Sequence, residues 1–524
     1  MKKIIYLTIF VALFFSSCED FLDTENYTKK TTASFPETVE DAEQMLTAIY
    51  NALNVATNVP SNTYLFAAQM ASDDCLGGGG DNDYMEKAFD KLLNYGVSAT
   101  EDYWTAYYQG IYRANTAIET LDNCEGWTSV EQRNQFMGEA YFMRAYFYFE
   151  LAQMYGQVPL VLETEPVNLP KAEVNELYGQ IASDLKNAIE LMYNRPYTAV
   201  ESGHATKWAA QALMARVYLF YTGYYNQSSI ALPEEEGGSI SESQVISWLE
   251  DCINNSGHGL VSDYRNLWAY TNSATVEDYE YTKGQGLNWV EDGNQETVFA
   301  IKYSVHASWD TNIGYGNQYC LYYGLRGGQD YEKTFPFGQG WGHGPVNPNL
   351  WNDWAAAEPN DMRREASIIH IPTELPDYTY GGWADFMEET DYAQKKYIAV
   401  TARGADGTVQ STFDIVYWGL ATDNMQLDHL RDLTIIRFSD VLLMHSELTK
   451  TADGINRVRS RAGLSSVSYS LEALKNERRW ELAFESVRWG DLRRWGDAAE
   501  QLARQEGVAI YNRGNPTTMQ AFNG

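Results

Sequence analysis

Residues 136–154 read FMGEAYFMRAYFYFELAQM, and this stretch decides the class of fold. Its apolar side chains recur at spacings of three and four residues, beginning at Phe136 and ending at Met154, which places them on one face of a helix. Gly156 and Pro159 follow, and these two residue types commonly end a helix. The stretch therefore predicts one long helix with a face buried against its neighbours.

Similar periodicity occurs on both sides of this helix. It is found in residues 104–118, 177–193, 205–221, 438–448, 455–463 and 471–488. Small residues alternate with large ones in several of these segments, which is typical of antiparallel helix pairs that stack as in tetratricopeptide repeats, although the 34-residue consensus of those repeats is absent. We predict a mainly α, tetratricopeptide-like helical scaffold to which both ends of the chain contribute.

The middle of the chain has a different composition. Residues 226–430 are rich in Gly, Asn, Asp, Tyr and Trp and show little sustained periodicity. A segment of this length cannot be one structureless loop in a compact protein. We predict that it forms a loop-rich inserted layer that binds the ligand, between an N-terminal helical part (18–225) and a C-terminal helical part (431–524) of the same fold.

The N-terminus has the pattern of a lipoprotein signal peptide. Two lysines precede an apolar run over residues 4–15, which is too short to cross a bilayer. Two serines and Cys18 follow, as at the bacterial cleavage site where the cysteine thiol receives lipid. Glu19 and Asp20 resemble the acidic tag that directs such lipoproteins to the cell surface. We predict that residues 1–17 are removed and that Cys18 anchors the protein at the surface of the outer membrane.

The composition excludes some classes of function. The chain has 38 Lys and Arg against 71 Asp and Glu, and a formal charge of -33 repels nucleic acid. Its 38 Tyr and 15 Trp favour ligands with flat apolar faces, sugars above all. No G-x-S-x-G, H-E-x-x-H or C-x-x-C motif occurs, so no catalytic residue, metal or cofactor is predicted. The sequence leaves open whether the four cysteines beyond Cys18 form disulfides: Cys75, Cys124, Cys252 and Cys320.

Five separated segments resemble the SusD/RagB family. Its C-terminal signature is similar to residues 437–444 (RFSDVLLM), 456–464 (NRVRSRAGL) and 477–495 (ERRWELAFESVRWGDLRRW). Its earlier helices are similar to residues 139–146 (EAYFMRAY), with the GQVPL exit that follows, and to residues 205–219. These segments occur in the family's order, and the resemblance extends over nearly the whole mature chain.

The resemblance implies a function as well as a SusD-like helical fold. Members of the family are lipid-anchored surface proteins that act as a lid over a SusC-like TonB-dependent outer-membrane transporter. They bind oligosaccharides, or in some cases peptides, and deliver them without catalysis. We therefore expect a glycan-binding protein that is not an enzyme. The alternatives are an oligopeptide-binding member of the family and a glycoside hydrolase, which needs only two carboxylates flanking the bond.

One candidate ligand loop lies in the N-terminal part. Asp73 and Asp74 precede four consecutive glycines, Gly77 to Gly80, and Tyr84 follows. Such glycines allow unusual backbone angles, so the loop is predicted to be mobile or to be approached closely by other groups. The two aspartates are candidates to accept hydrogen bonds from sugar hydroxyls. A plain surface loop and a calcium site are alternatives, although the EF-hand pattern is not met.

A second set of candidates lies in the middle region. Aromatic residues that fall among Gly and Asn are predicted to lie flat against sugar rings, with polar groups nearby to bind hydroxyls. The candidates are Trp289, Trp309, Tyr315, Tyr319 and Trp341. The alternative for each is an anchor that holds its own loop against the core.

The C-terminal signature carries a dense cluster of charges. Arg478, Arg479, Arg493 and Arg494 could form an anion site, or they could pair with the acidic residues among them. Because acids and bases are interleaved rather than segregated, we favour an ion-pair network that holds the C-terminal helices together.

Overall fold

The computed structural model describes residues 35–54, 60–92, 100–165, 167–304, 316–421 and 424–520. Three of the predicted functional residues, Cys18, Trp309 and Tyr315, lie outside these ranges. Within the ranges, no helix combines the length and the apolar character needed to cross a membrane.

The N-terminal part is helical, as predicted. Its helices are α1 (Val39–Tyr50), α2 (Tyr64–Met70), α3 (Tyr84–Asp90), α4 (Glu101–Thr120), α5 (Val130–Tyr155), α6 (Val174–Leu191) and α7 (Lys207–Tyr224). Helices α4 to α7 pack successively against one another, α4 on α5, α5 on α6 and α6 on α7. This is the stacked-pair arrangement that the periodicity predicts.

Helix α5 lies at the centre of this part. Ser129 caps its N-terminus by accepting a hydrogen bond from the backbone N–H of Gln132. Nearly every side chain from Gln135 to Ala152 is buried, so the helix is enclosed on all sides rather than amphipathic. A buried ion pair, in which Arg144 Nη2 lies 2.6 Å from Asp184 Oδ1, ties it to α6.

The first two turns of α4 are rotated relative to the core face that the spacing predicts, whereas Ile111 and Asn115 further along that face are buried as predicted. Trp104 and Tyr108, which the spacing placed on the core face, are only partly buried. Tyr103 and Tyr107 are buried instead. Their hydroxyls both donate to Glu150 of α5, at 3.3 and 2.5 Å. Hydrogen bonds to a buried carboxylate therefore favour this rotation of the helix.

The middle region consists of short elements, with one exception. Its helices are α8 (Glu242–Asn255), α9 (Gln318–Tyr322), α10 (Tyr331–Thr334), α11 (Pro348–Ala357), α12 (Met362–Ser367), α13 (Ile371–Glu374) and α14 (Phe413–Trp418). Helix α8 buries one face, formed by Val245, Leu249 and Cys252. It packs against α7 and against a C-terminal helix. It belongs structurally to the scaffold, although the composition places it in the inserted layer.

The strands are short and occur in pairs. They are β1 (Ile230–Ala231), β2 (Ser239–Ile240), β3 (Thr297–Ile301), β4 (Leu325–Arg326), β5 (Gln339–Gly340), β6 (Ile368–His370), β7 (Tyr392–Gln394), β8 (Ala402–Arg403), β9 (Val409–Gln410), β10 (Leu433–Arg437), β11 (Ala509–Asn512) and β12 (Asn515–Thr518). The pairs are β1–β2, β3–β10, β6–β7, β8–β9 and β11–β12, all antiparallel, and the parallel pair β4–β5.

The C-terminal part adds five helices to the scaffold. They are α15 (Phe438–Thr449), α16 (Asp453–Arg461), α17 (Leu471–Glu481), α18 (Arg488–Trp495) and α19 (Ala498–Ala503). The prediction of one helix over 471–488 is wrong, because the chain turns between α17 and α18. Phe484 and Ser486 there have φ angles of 66° and 60°, which a continuous α-helix cannot contain.

The two ends of the chain pack together. Helix α18 lies against α7 and α2, and α15 lies against α8. The charged residues of the C-terminal signature form a buried ion-pair network, as the interleaved charges predicted. Arg478 Nε lies 2.8 Å from Asp491 Oδ2, and Arg494 Nε lies 2.8 Å from Asp491 Oδ1. The exception is Arg493, which donates instead to a backbone carbonyl and to a tyrosine hydroxyl.

The four cysteines beyond Cys18 are buried and free. None of them forms a disulfide, which resolves a point that the sequence left open.

Candidate functional site

Asp73 and Asp74 do not have the role that the sequence suggested. Both side chains are buried and form ion pairs with the C-terminal signature. Arg488 Nε lies 2.7 Å from Asp73 Oδ1, and Arg479 Nε lies 2.8 Å from Asp74 Oδ1. Burial raises the pKa of Asp73, but Arg479 and Arg488 outweigh it and hold that pKa below its ordinary value. These carboxylates fix the start of the glycine loop and are not accessible to a sugar.

The glycine loop is closely packed rather than mobile on the surface. Gly77 to Gly80 are buried, and Gly78 and Gly79 have φ angles of 66° and 67°. The N–H of Gly79 donates to the carbonyl of Gly342 at 2.9 Å, and the carbonyl of Gly79 accepts from the N–H of Met387 at 2.9 Å. A side chain on Gly78 would collide with the Gly342 carbonyl. The loop therefore joins two segments of the middle region to the N-terminal helices.

Trp289 and Tyr319 are core anchors. The ring of Trp289 is buried and packs edge-on against Phe413 and Tyr417, with centroid separations of 5.5 and 5.7 Å. The buried hydroxyl of Tyr319 lies 2.6 Å from Thr63 Oγ1. Neither ring presents a face to solvent, so the prediction that they stack on a sugar needs correction. Replacing Trp289 by alanine would remove core packing and lower stability.

Trp341 has a different environment. It is partly exposed, and its ring lies beside that of Trp383, with centroids 5.9 Å apart and planes inclined by 48°. Trp383 is 48% exposed. Its indole lies directly against the backbone of Gly327, where any side chain would overlap the ring. The two tryptophans form an open, angled aromatic surface.

Polar groups surround this surface. Arg326 lies under Trp383, with its guanidinium carbon 5.0 Å from the ring centroid. It donates to Asp385 through Nε (3.1 Å) and Nη2 (2.5 Å), and its Nη1 lies 3.4 Å from Asp83 Oδ2. The Asp83 and Asp385 side chains are 32% and 33% exposed. Tyr84, which follows Asp83 at the start of α3, is 50% exposed.

We call Trp341 and Trp383, together with the carboxylates of Asp83 and Asp385, the aromatic platform. It combines flat apolar faces with hydrogen-bond acceptors that are partly open to solvent, which is the composition of a site for polyhydroxylated ligands. One of its members, Trp341, was among the candidates from the sequence, and Tyr84 stays a prediction beside Asp83. Asp83, Trp383 and Asp385 were missed, although Trp383 follows Gly381 and Gly382 in the same Gly-rich context that indicated Trp341.

The loop that carries Trp383 is held by a buried carboxylate. Glu389 Oε1 accepts a hydrogen bond from the Tyr378 hydroxyl at 2.5 Å, and Oε2 accepts one from the Gly381 N–H at 2.7 Å. Burial raises the pKa of Glu389 to about 7, although both hydrogen bonds lower it. Its backbone pairs with Tyr511 of β11, so the C-terminal hairpin supports the same loop. Glu389 therefore positions Trp383 without touching a ligand.

We expect Glu389→Ala to weaken ligand binding at the platform about tenfold, because two hydrogen bonds worth about 1 kcal/mol each no longer hold the loop. Glu389→Gln should largely restore binding, since its amide oxygen still accepts from the Gly381 N–H. Titration calorimetry with a polyhydroxylated ligand that binds the wild type measures both variants. Equal affinity for Glu389→Ala and the wild type would contradict this role, as would a glutamine variant no better than alanine.

Comparisons with known proteins agree with this architecture. Residues 20–219 match a family described as starch-binding and associating with the outer membrane, and residues 422–523 match the SusD family. A SusD-like protein of Formosa agariphila is 23% identical over 94% of this chain and 90% of its own length. Another from the same organism is 27% identical over 75% of this chain and 71% of its own length.

Solved structures of other proteins have a similar fold. A laminarin-binding SusD-like protein aligns with a TM-score of 0.69 at 25% identity, covering 89% of this chain and 94% of the other. Surface glycan-binding protein A from Bacteroides fluxus aligns with a TM-score of 0.70 at 23% identity, covering 92% and 95% of the two chains. The likeness extends over the inserted layer as well as over the helical scaffold.

Proposed function

The chain belongs to the SusD family, and we propose that it is a lipid-anchored surface protein that captures an oligo- or polysaccharide and delivers it to a SusC-like TonB-dependent transporter. The family is one of outer-membrane glycan-binding proteins that are not catalytic.

The observation that carries the proposal is the aromatic platform. A pyranose ring has an apolar face of C–H groups that packs against indole and phenol rings, and hydroxyls at its rim that donate to carboxylates. The ring centroids of Trp341 and Trp383 lie 5.9 Å apart. Asp385 accepts a hydrogen bond from Arg326, whose guanidinium lies beneath the Trp383 ring. The open surface suits a chain that extends beyond the site, as in a polysaccharide.

Laminarin is the first ligand to test, because a laminarin-binding protein is among the structural relatives at 25% identity. The purified mature protein is run through native gels that contain laminarin, soluble starch or another glycan. Retarded migration in one glycan class supports capture. Normal migration in every glycan, together with binding of an oligopeptide, would overturn the proposal in favour of a peptide-binding member of the family.

We expect Cys18→Ala to abolish lipidation and with it attachment to the outer membrane. The thiol is the acceptor of the lipid, and alanine has no nucleophile to replace it. Incorporation of a labelled fatty acid and surface labelling of whole cells report the two effects. Normal surface labelling of the Cys18→Ala protein would contradict the anchor, and a Cys124→Ala protein, which alters a buried free cysteine, is the matched control.

A further inference from the structure

We propose that the aromatic platform selects neutral glycans and rejects glycans that carry sulfate or carboxylate groups. The reason is that each described cation beside the platform is already bound by protein groups, while two carboxylates remain partly open to the ligand. This inference rests on the proposed function and adds the chemical class of the glycan.

Arg326 is the cation nearest to the tryptophans, and its donors are occupied. Its side chain is only 9% exposed. Nε and Nη2 bind the two oxygens of Asp385, and Nη1 donates to the backbone carbonyl of Trp341 at 2.9 Å. The ring of Trp383 covers the guanidinium. An anionic substituent would have to displace Asp385 to reach it.

The other neighbouring cations, Lys87, Lys91 and Arg513, also have protein partners, although Lys91 and Arg513 are 36% and 58% exposed. Lys87 Nζ is buried and donates to the carbonyl of Gly80 at 2.6 Å. Lys91 Nζ lies 2.5 Å from Glu388 Oε1. Arg513, on the turn of the C-terminal hairpin, is paired with both oxygens of Asp81. A sulfate or a uronate would therefore have to compete with Glu388 for Lys91 or with Asp81 for Arg513.

The carboxylates of Asp83 and Asp385, unlike the Arg326 guanidinium, are partly accessible to a ligand. Asp83 uses a single oxygen, Oδ2, to accept from the Gly80 N–H at 2.6 Å and to approach Arg326. Asp83 and Asp385 are each about one-third exposed, at 32% and 33%. A sugar hydroxyl can donate to such an oxygen. A sulfate or carboxylate has no proton to donate at neutral pH and meets like charge instead.

The test compares glycans that share a backbone and differ only in charge. The neutral glycan that retards the mature protein, laminarin in the first instance, is compared with its chemically sulfated form by titration calorimetry. We expect at least tenfold weaker binding of the sulfated form at low salt. Raising the NaCl concentration should reduce this difference in affinity, because screening weakens like-charge repulsion without affecting neutral contacts.

Variants separate charge from steric exclusion. Asp83→Asn and Asp385→Asn each remove one negative charge and should reduce the ratio of the affinity for the neutral glycan to the affinity for the sulfated glycan. Glu190→Gln, which removes an exposed charge from α6, should leave it unchanged. Equal or tighter binding of the sulfated glycan, or a ratio that neither salt nor these variants alter, would overturn the inference while leaving glycan capture intact. If no glycan binds at all, the proposed function itself fails, and the inference falls with it.

Discussion

Replacing Trp383 by alanine is expected to lower the affinity of the protein for its glycan by about 10- to 100-fold. The indole is 48% exposed beside Trp341, so a bound sugar ring would bury most of its free face. Removing apolar contact of that size costs roughly 1.5–3 kcal/mol of binding free energy. Affinity gels and titration calorimetry with the glycan that binds the wild type measure the loss.

A matched variant distinguishes the loss of a ligand contact from a general effect of removing an exposed tryptophan. Trp418, at the end of α14, is 49% exposed, and Trp418→Ala removes the same side chain from another surface. The two variants should unfold at similar temperatures, because the two rings are about equally exposed, at 48% and 49%. Wild-type affinity for Trp383→Ala, or an equal loss for Trp418→Ala, would refute the assignment of the platform.

Replacing Arg363 by alanine is expected to destabilise the fold by about 3–5 kcal/mol. The side chain is fully buried and binds three carboxylates: Asp361 at 2.7 Å, Glu477 at 2.6 Å and Glu481 at 2.9 Å. Two of them lie on α17, so this arginine joins the inserted layer to the C-terminal helices. Its removal leaves buried negative charges without their partner, which costs far more than the lost attraction alone.

Chemical denaturation followed by circular dichroism measures the change. Arg133, whose guanidinium pairs with the exposed Asp122, provides the control, because a surface pair contributes about 1 kcal/mol or less. A loss of stability for Arg363→Ala no larger than that for Arg133→Ala would show that the buried network does not hold the two parts together.

The helical scaffold could be predicted because its signal is local. Apolar spacing identified α4 to α7 and α15 to α17, and interleaved charges identified the ion-pair network. The break after α17 was missed because it depends on positive φ angles at Phe484 and Ser486, which are not glycines and give no local signal. The rotation of α4 was missed because Glu150, on the next helix, determines it.

The candidate site was predictable only in part. The sequence indicated the aromatic residues of Gly-rich segments as a group, yet Trp289 is buried and Trp341 is partly exposed in similar sequence contexts. The difference lies in partners far along the chain, such as Phe413 for Trp289. The burial of the Asp74 carboxylate is likewise explained by its hydrogen bond from Arg479, which lies 405 residues further along the chain. Long-range pairing of this kind cannot be derived from one sequence.

The central claim is capture of a glycan without cleavage. Native affinity gels of the mature protein with a panel of soluble glycans, combined with an assay for released reducing ends on the same mixtures, test it most directly. We expect retardation by a neutral glycan class and no release of reducing sugar. Release of reducing ends, or normal migration in every glycan, would contradict it.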